Sequence, residues 1–113
     1  MASSPLTTHI LDTSTGLPAE GVEVSLFRIA DKEILTARTR SDKDGRCPRL
    51  LSHGQPILGT YKIRFEVADF FAKRGSSCFY PYVEIVFNIL DATQHYHVPL
   101  LISPFGYTTY RGS

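Results

Sequence analysis

Tyr61-Lys62-Ile63-Arg64-Phe65-Glu66-Val67 decides the fold class of this chain. Apolar side chains at the odd positions alternate with charged ones at the even positions, the period of two that sends neighbours to opposite faces of a β-strand. Val83, Ile85, Phe87 and Ile89 repeat the pattern, with Glu84 and Asn88 on the other face. Val22, Val24 and Leu26 begin a third strand. There Arg28 takes over their parity while Phe27 and Ile29 become apolar, which predicts a bulge or a two-sided end in that strand. Glu33 to Arg40 forms a fourth. Turn residues separate these runs at Gly16-Leu17-Pro18, Ala30-Asp31-Lys32, Asp42-Lys43-Asp44-Gly45 and His53-Gly54-Gln55-Pro56. A single short helix is expected over 69–75, with Asp69 as its cap and Gly75 as its left-handed stop. Many short strands and one minor helix predict an antiparallel β-sandwich of about seven or eight strands.

The C-terminal third carries the most. From Gln94 to Ile102 the even positions Tyr96, Val98, Leu100 and Ile102 are apolar and should face the core. His95, His97, Pro99 and Leu101 then share the opposite face. Pro99 brings no ladder donor, so this strand is an edge or carries an irregularity. A closing strand runs from about Tyr107 to Arg111 after the Ser103-Pro104-Phe105-Gly106 turn. Chain ends commonly fray, yet Tyr110-Arg111-Gly112-Ser113 follows an apolar run with no polar tail, and it gathers a guanidinium, a hydroxyl and a carboxylate. An apolar outer face on terminal strands implies cover by another subunit.

Size and charge bound the rest. At 113 residues, 42% apolar and 20% charged, the chain is expected to form one globular domain over 1–113. The net charge of +1, with no basic stripe, argues against a nucleic-acid partner. No apolar run approaches the length of a membrane span. Residues 1–7 lack the basic and hydrophobic regions of a signal peptide, so a cytosolic or organellar location is expected, with Cys47 and Cys78 as free thiols.

Histidines are the candidate proton carriers. His95 and His97 project from one strand face. His9 lies in Thr7-Thr8-His9-Ile10-Leu11-Asp12, a first strand in which His9 and Leu11 oppose Ile10. Were that strand to lie beside the penultimate one, His9 and His97 would approach, and mutual repulsion would keep at least one neutral and basic. His53 reads as a solvated surface residue and His95 as a structural or supporting one. Three imidazoles (His9, His95, His97) are the chemistry of an open zinc site, but no cysteine or carboxylate stands out as a fourth ligand, and a metal-free site is the stronger reading. Arg46, after Asp44-Gly45, is either a solvated turn cation or a fork-shaped donor to a polar ligand or oxyanion. Cys47 beside it reads as a packing thiol. No nucleophile elbow or phosphate-binding loop is present.

Leu6-Thr7-Thr8-His9-Ile10-Leu11-Asp12 with Gly16-Leu17-Pro18-Ala19, Asp44-Gly45-Arg46-Cys47, and His95-Tyr96-His97-Val98-Pro99-Leu100-Leu101-Ile102-Ser103-Pro104 through Tyr107-Thr108-Thr109-Tyr110-Arg111-Gly112-Ser113 resemble the transthyretin-related 5-hydroxyisourate hydrolases. The resemblance spans essentially the whole chain, and its terminal Tyr-Arg-Gly-Ser is a family signature. It implies a prealbumin-like sandwich of two four-stranded sheets. It further implies a homotetramer, a dimer of dimers, with sites in the channel between dimers. It also implies that His9, Arg46 and His97 are catalytic and that Tyr110, Arg111, Gly112 and Ser113 close the substrate pocket with Arg46. In the family, a histidine-activated water opens 5-hydroxyisourate without metal or organic cofactor. Hormone-carrying transthyretins share the fold but hold lysine, glutamate and threonine where His9, Arg46 and His97 stand, and they lack the terminal tetrapeptide. A small-ligand carrier without catalysis is the alternative. Relatives in eukaryotes often work in peroxisomes, although Arg111-Gly112-Ser113 is not a Ser-Lys-Leu type address.

Overall fold

The strand expected around Ile63 spans Gly59–Phe65, and its alternate side chains Tyr61, Ile63 and Phe65 are fully buried. A computed structural model describes residues 5–51 and 58–112 of the chain. The turn at 53–56, His53 within it, and Ser113 lie outside the described residues. In chain order the strands are β1 (Leu6–Asp12), β2 (Leu17–Pro18), β3 (Glu23–Ile29), β4 (Glu33–Arg40), β5 (Arg46–Cys47) and β6 (Gly59–Phe65). After helix α1 (Val67–Ala72) come β7 (Val83–Ile89), β8 (Tyr96–His97), β9 (Leu100–Ser103) and β10 (Gly106–Thr109).

Two sheets pack face to face. One runs β4-β3-β6-β7 and is antiparallel throughout, four-stranded as expected. The other runs β10-β9-β1-β2, with β5 and β8 also paired to β1. It has six strands rather than four: β1, β9 and β10 are joined by the two-residue pieces β2, β5 and β8, each paired to β1. Prolines account for their brevity: Pro18 ends β2, Pro48 follows β5, and Pro99 separates β8 from β9, each removing a ladder donor. Leu6, Ile10, Tyr96, Val98, Leu100 and Ile102 line the inner face of this sheet and meet Tyr61, Ile63, Phe65, Val24 and Leu26 of the other.

Two local expectations shift. The bulge lies opposite the strand expected to hold it: Leu26 pairs with Ala37 and Phe27 with Leu35, so the extra residue is Thr36 of β4. β3 itself pairs with β6 without interruption. The helix begins two residues early, at Val67, with Glu66 at its cap position and no side-chain cap bond. Val67, Phe70 and Phe71 share one buried face, and burying three large apolar groups outweighs the roughly 1 kcal/mol a cap provides. Asp69 sits in the first turn, where the helix dipole favours an anion. Gly75 takes the expected left-handed backbone, φ 73°. Among the described residues, no helix is long and apolar enough to cross a membrane.

Candidate active site

β1 organises the site because it is paired on both sides. Its burial alternates strictly, leaving Thr7, His9 and Leu11 on the outer face of the sheet. On one flank β8 runs parallel to it and sets His97 beside Thr7. On the other, β5 runs antiparallel and sets Arg46 opposite His9. The first strand therefore does lie beside the penultimate one. Beyond β8, Gly112 bridges to His97, its amide donating to the His97 carbonyl at 2.7 Å. Four chain segments thus lay polar groups across the outer face, with His97 and Arg46 two strands apart and offset by two residues along β1, about 12 Å at backbone level.

Each member is held by local chemistry. Arg46 ends a turn built by Asp42, whose carboxylate accepts from the amides of Asp44 (2.9 Å) and Arg46 (3.0 Å). Those bonds, the Arg46 amide foremost, hold the Asp42 carboxyl below its usual range. Gly45 adopts φ 76°, and a β-carbon there would run into the carbonyl of Ile10. Only glycine fits where its own carbonyl must accept from the Ile10 amide at 2.7 Å. The turn thereby presents the Arg46 side chain outward, exposed, while Cys47 turns inward.

His97 is half-buried, and its Nδ1 lies 2.9 Å from the hydroxyl of Thr7. The same hydroxyl lies 3.1 Å from Nε2 of His95. Burial pushes the His97 imidazole below its ordinary value of 6.5, and the charges of Arg46, His9 and His95 push the same way, with hydrogen bonding to the Thr7 backbone opposing. The ring is thus kept neutral near neutral pH, as a base requires. His9 and Arg46 lie near enough to His97 for their charges to act on it, on the shared outer face of the sheet. Gly112 reaches them too, packed so tightly that a β-carbon on it would lie 2.6 Å from Cδ2 of His97.

Tyr110 has the outward parity of Thr108, which pairs with outward Leu101, and the residue is 56% exposed. Arg111 is not brought to the histidines. Its guanidinium hydrogen-bonds Oε1 of Gln94 at 2.6 Å and stacks 4.4 Å over the ring of Tyr96, on the other side of the tail. It borders a cavity of about 300 Å³ with Phe87, Asn88, Asp91 and Val98. Cys47 and Cys78 are free, and burial drives the Cys47 thiol up to about 12, so it packs rather than reacts. Among the described residues no three His, Cys, Asp or Glu side chains form a group that would hold a metal. Thr7 is the member that sequence reading passed over. Its signal was its place two residues before His9 on the same strand face.

Known proteins share this arrangement of strands. The HIUase/Transthyretin family profile matches residues 6–112. A protein of Mus musculus named 5-hydroxyisourate hydrolase is 52% identical, the match covering 98% of this chain and 97% of the relative. The structure of Klebsiella pneumoniae 5-hydroxyisourate hydrolase superposes with a TM-score of 0.86 at 39% identity over the full length of both chains. Sea bream transthyretin, solved in complex with thyroxine, superposes with a TM-score of 0.90 at 32% identity, covering 96% of this chain and 94% of that one.

Proposed function

The chain belongs to the HIUase/transthyretin family, and from that premise we propose that it is the hydrolase that opens 5-hydroxyisourate, by water activated at His97. One observation carries the choice of hydrolase over carrier: a neutral-held imidazole, a second imidazole and a guanidinium share one sheet face, groups that move protons and stabilise oxyanions. Fold likeness does not choose, because the transthyretin superposes as well as the hydrolase. Full-length relatives named 5-hydroxyisourate hydrolase favour the same side.

In this reading the ring carbonyl of the substrate lies between His97 and Arg46. His97 takes a proton from water as the oxygen attacks the carbonyl carbon. Arg46 offsets the charge that grows on the carbonyl oxygen. Collapse breaks the ring C–N bond, and the proton passes to the leaving nitrogen, giving 2-oxo-4-hydroxy-4-carboxy-5-ureidoimidazoline. His9 orients the water and keeps its partner neutral. Tyr110, Gly112 and Ser113 close the pocket. Arg111 fastens the tail through Tyr96 and Gln94 so that Gly112 can brace His97. The site is open on the face of one protomer, so the reading includes a homotetramer, a dimer of dimers, whose facing sheets form a channel around it. A cytosolic setting is in keeping with two free thiols.

The test generates 5-hydroxyisourate in place from urate and urate oxidase and follows its ultraviolet decay. The protein should accelerate that decay, and His97→Asn should lose about 10²–10⁴ in rate with the assembly intact. A decay unchanged by the wild-type protein removes the assignment.

A further inference from the structure

The Thr7 hydroxyl lies between two imidazoles, 2.9 Å from Nδ1 of His97 and 3.1 Å from Nε2 of His95. We propose that Thr7 is a positioning residue that sets which nitrogen of His97 carries the proton, and that His95 sets the direction in which Thr7 points. The role rests on His97 being the base of the hydrolase reading.

A hydroxyl has one hydrogen to donate and can accept as well. With His95 neutral and its Nε2 bare, Thr7 donates to His95 and accepts from Nδ1–H of His97. The other nitrogen of His97, Nε2, is then a bare lone pair able to take a proton from water. When His95 binds a proton from solvent, its Nε2–H donates to Thr7. The Thr7 hydrogen must then turn to Nδ1 of His97, and the single proton of neutral His97 must sit on Nε2. No proton is gained or lost at His97; its basic nitrogen is exchanged for a donor. The tautomer of a histidine is set by the partner of its other nitrogen; here the near partner is the Thr7 hydroxyl, a rotor, with the Thr7 backbone as a weaker, fixed one.

The surroundings suit such a device. His95 is exposed and open to solvent protons, whereas His97 is half-buried. The groups that face His97 are His9 from β1, Arg46 from β5, His95 from its own segment and the Gly112 amide, which bonds the His97 carbonyl. Burial and these neighbours disfavour a second proton on His97 and leave tautomer exchange as its response. Threonine branches at Cβ and sits in a strand paired on both sides, so its χ1 is stiff and its oxygen stays in place.

Full-length protein labelled with ¹⁵N at histidine reads the effect directly, without substrate. Long-range proton–nitrogen spectra at pH 8 should show the His97 proton on Nδ1 in the wild type and in Thr7→Ser. In Thr7→Val, which keeps shape and strand preference, the proton should sit mainly on Nε2. His95→Ala, at an exposed position, should remove the exchange of tautomers that acid produces in the wild type. With 5-hydroxyisourate, Thr7→Val should lower kcat about 10²-fold with KM nearly unchanged, and Thr7→Ser should restore most of the rate. A Thr7→Val spectrum matching wild type at His97, or a His95→Ala protein with the wild-type acid response, overturns the proposal. The two readings fail separately: an inactive wild type showing the Thr7-dependent tautomer supports the relay and removes the hydrolase, while an active one without it does the reverse.

Discussion

Gly112 approaches His97 so closely that any β-carbon would meet the ring, at 2.6 Å from Cδ2 and 3.3 Å from Cγ. An alanine there must push the imidazole aside, and a displacement near 1 Å at a reacting group costs about 10²-fold in rate. Gly112→Ala should therefore lose about that much kcat while its thermal midpoint stays near wild type; unchanged kcat would contradict the bracing role. His97 also links stability to pH. Its folded pKa lies below the ordinary 6.5, so the unfolded chain binds a proton there before the folded one does. Stability from this group is complete above about 6.5 and falls as pH drops through that value. Urea midpoints taken at pH 7.5 and 5.5 should fall for the wild type and fall less for His97→Asn. At this scale, parity along a strand made it legible that His9 and His97 lie on the outer face of their strands. Thr7 was not legible, because threonine is common in strands and announces no chemistry until two imidazoles are seen against it.

At the scale of elements, the break at Pro99 decides how the site strand is held. β1 pairs with β8 at Thr7 and with β9 from Ile10 onward, and between them Pro99 offers no amide. Side-chain hydroxyls fill the gap: fully buried Thr8 donates to the Val98 carbonyl, and Thr109 donates to the Pro99 carbonyl at 2.8 Å. Thr8→Val keeps the volume but orphans a buried acceptor, so it should lower unfolding free energy by about 1–3 kcal/mol in denaturant titration. No loss would mean that the carbonyl finds another donor. The longer strands β1, β6 and β7 were legible from their period of two. The two-residue strands β2, β5 and β8 were not, because two residues carry no period. The helix start was misread from Asp69 because burial of Val67, Phe70 and Phe71 governs it.

For the whole molecule, the outer face of the β1 sheet is unfinished. Tyr110 is 56% exposed, and the row of His97, His9 and Arg46 faces solvent in a single protomer. Electrostatic stabilisation of an oxyanion is strong only where water is excluded, so assembly and activity should fall together. Light scattering on the eluting protein should give about four times 12.6 kDa. Tyr110→Glu, which puts a carboxylate on the facing surface, should elute smaller and turn over more slowly. A wild-type monomer with full activity would remove the channel from the reading.

Alternation and turn residues, properties of neighbouring residues, determined the sandwich class, and short local motifs ending in the terminal tetrapeptide carried the family resemblance that points to His9, Arg46 and His97. Neighbour spacing is what a strand converts directly into a face. Contacts between residues far apart in the chain were decided only in three dimensions. The pairing of β1 on both flanks and the hydroxyl of Thr7 shared by His95 and His97 join segments far apart in the chain, 88 and 90 residues for the two imidazoles, and the turn of Arg111 onto Tyr96 and Gln94 lies where parity is lost beyond the last strand. Register and close approach are set there by packing of the whole core, and no local pattern encodes them.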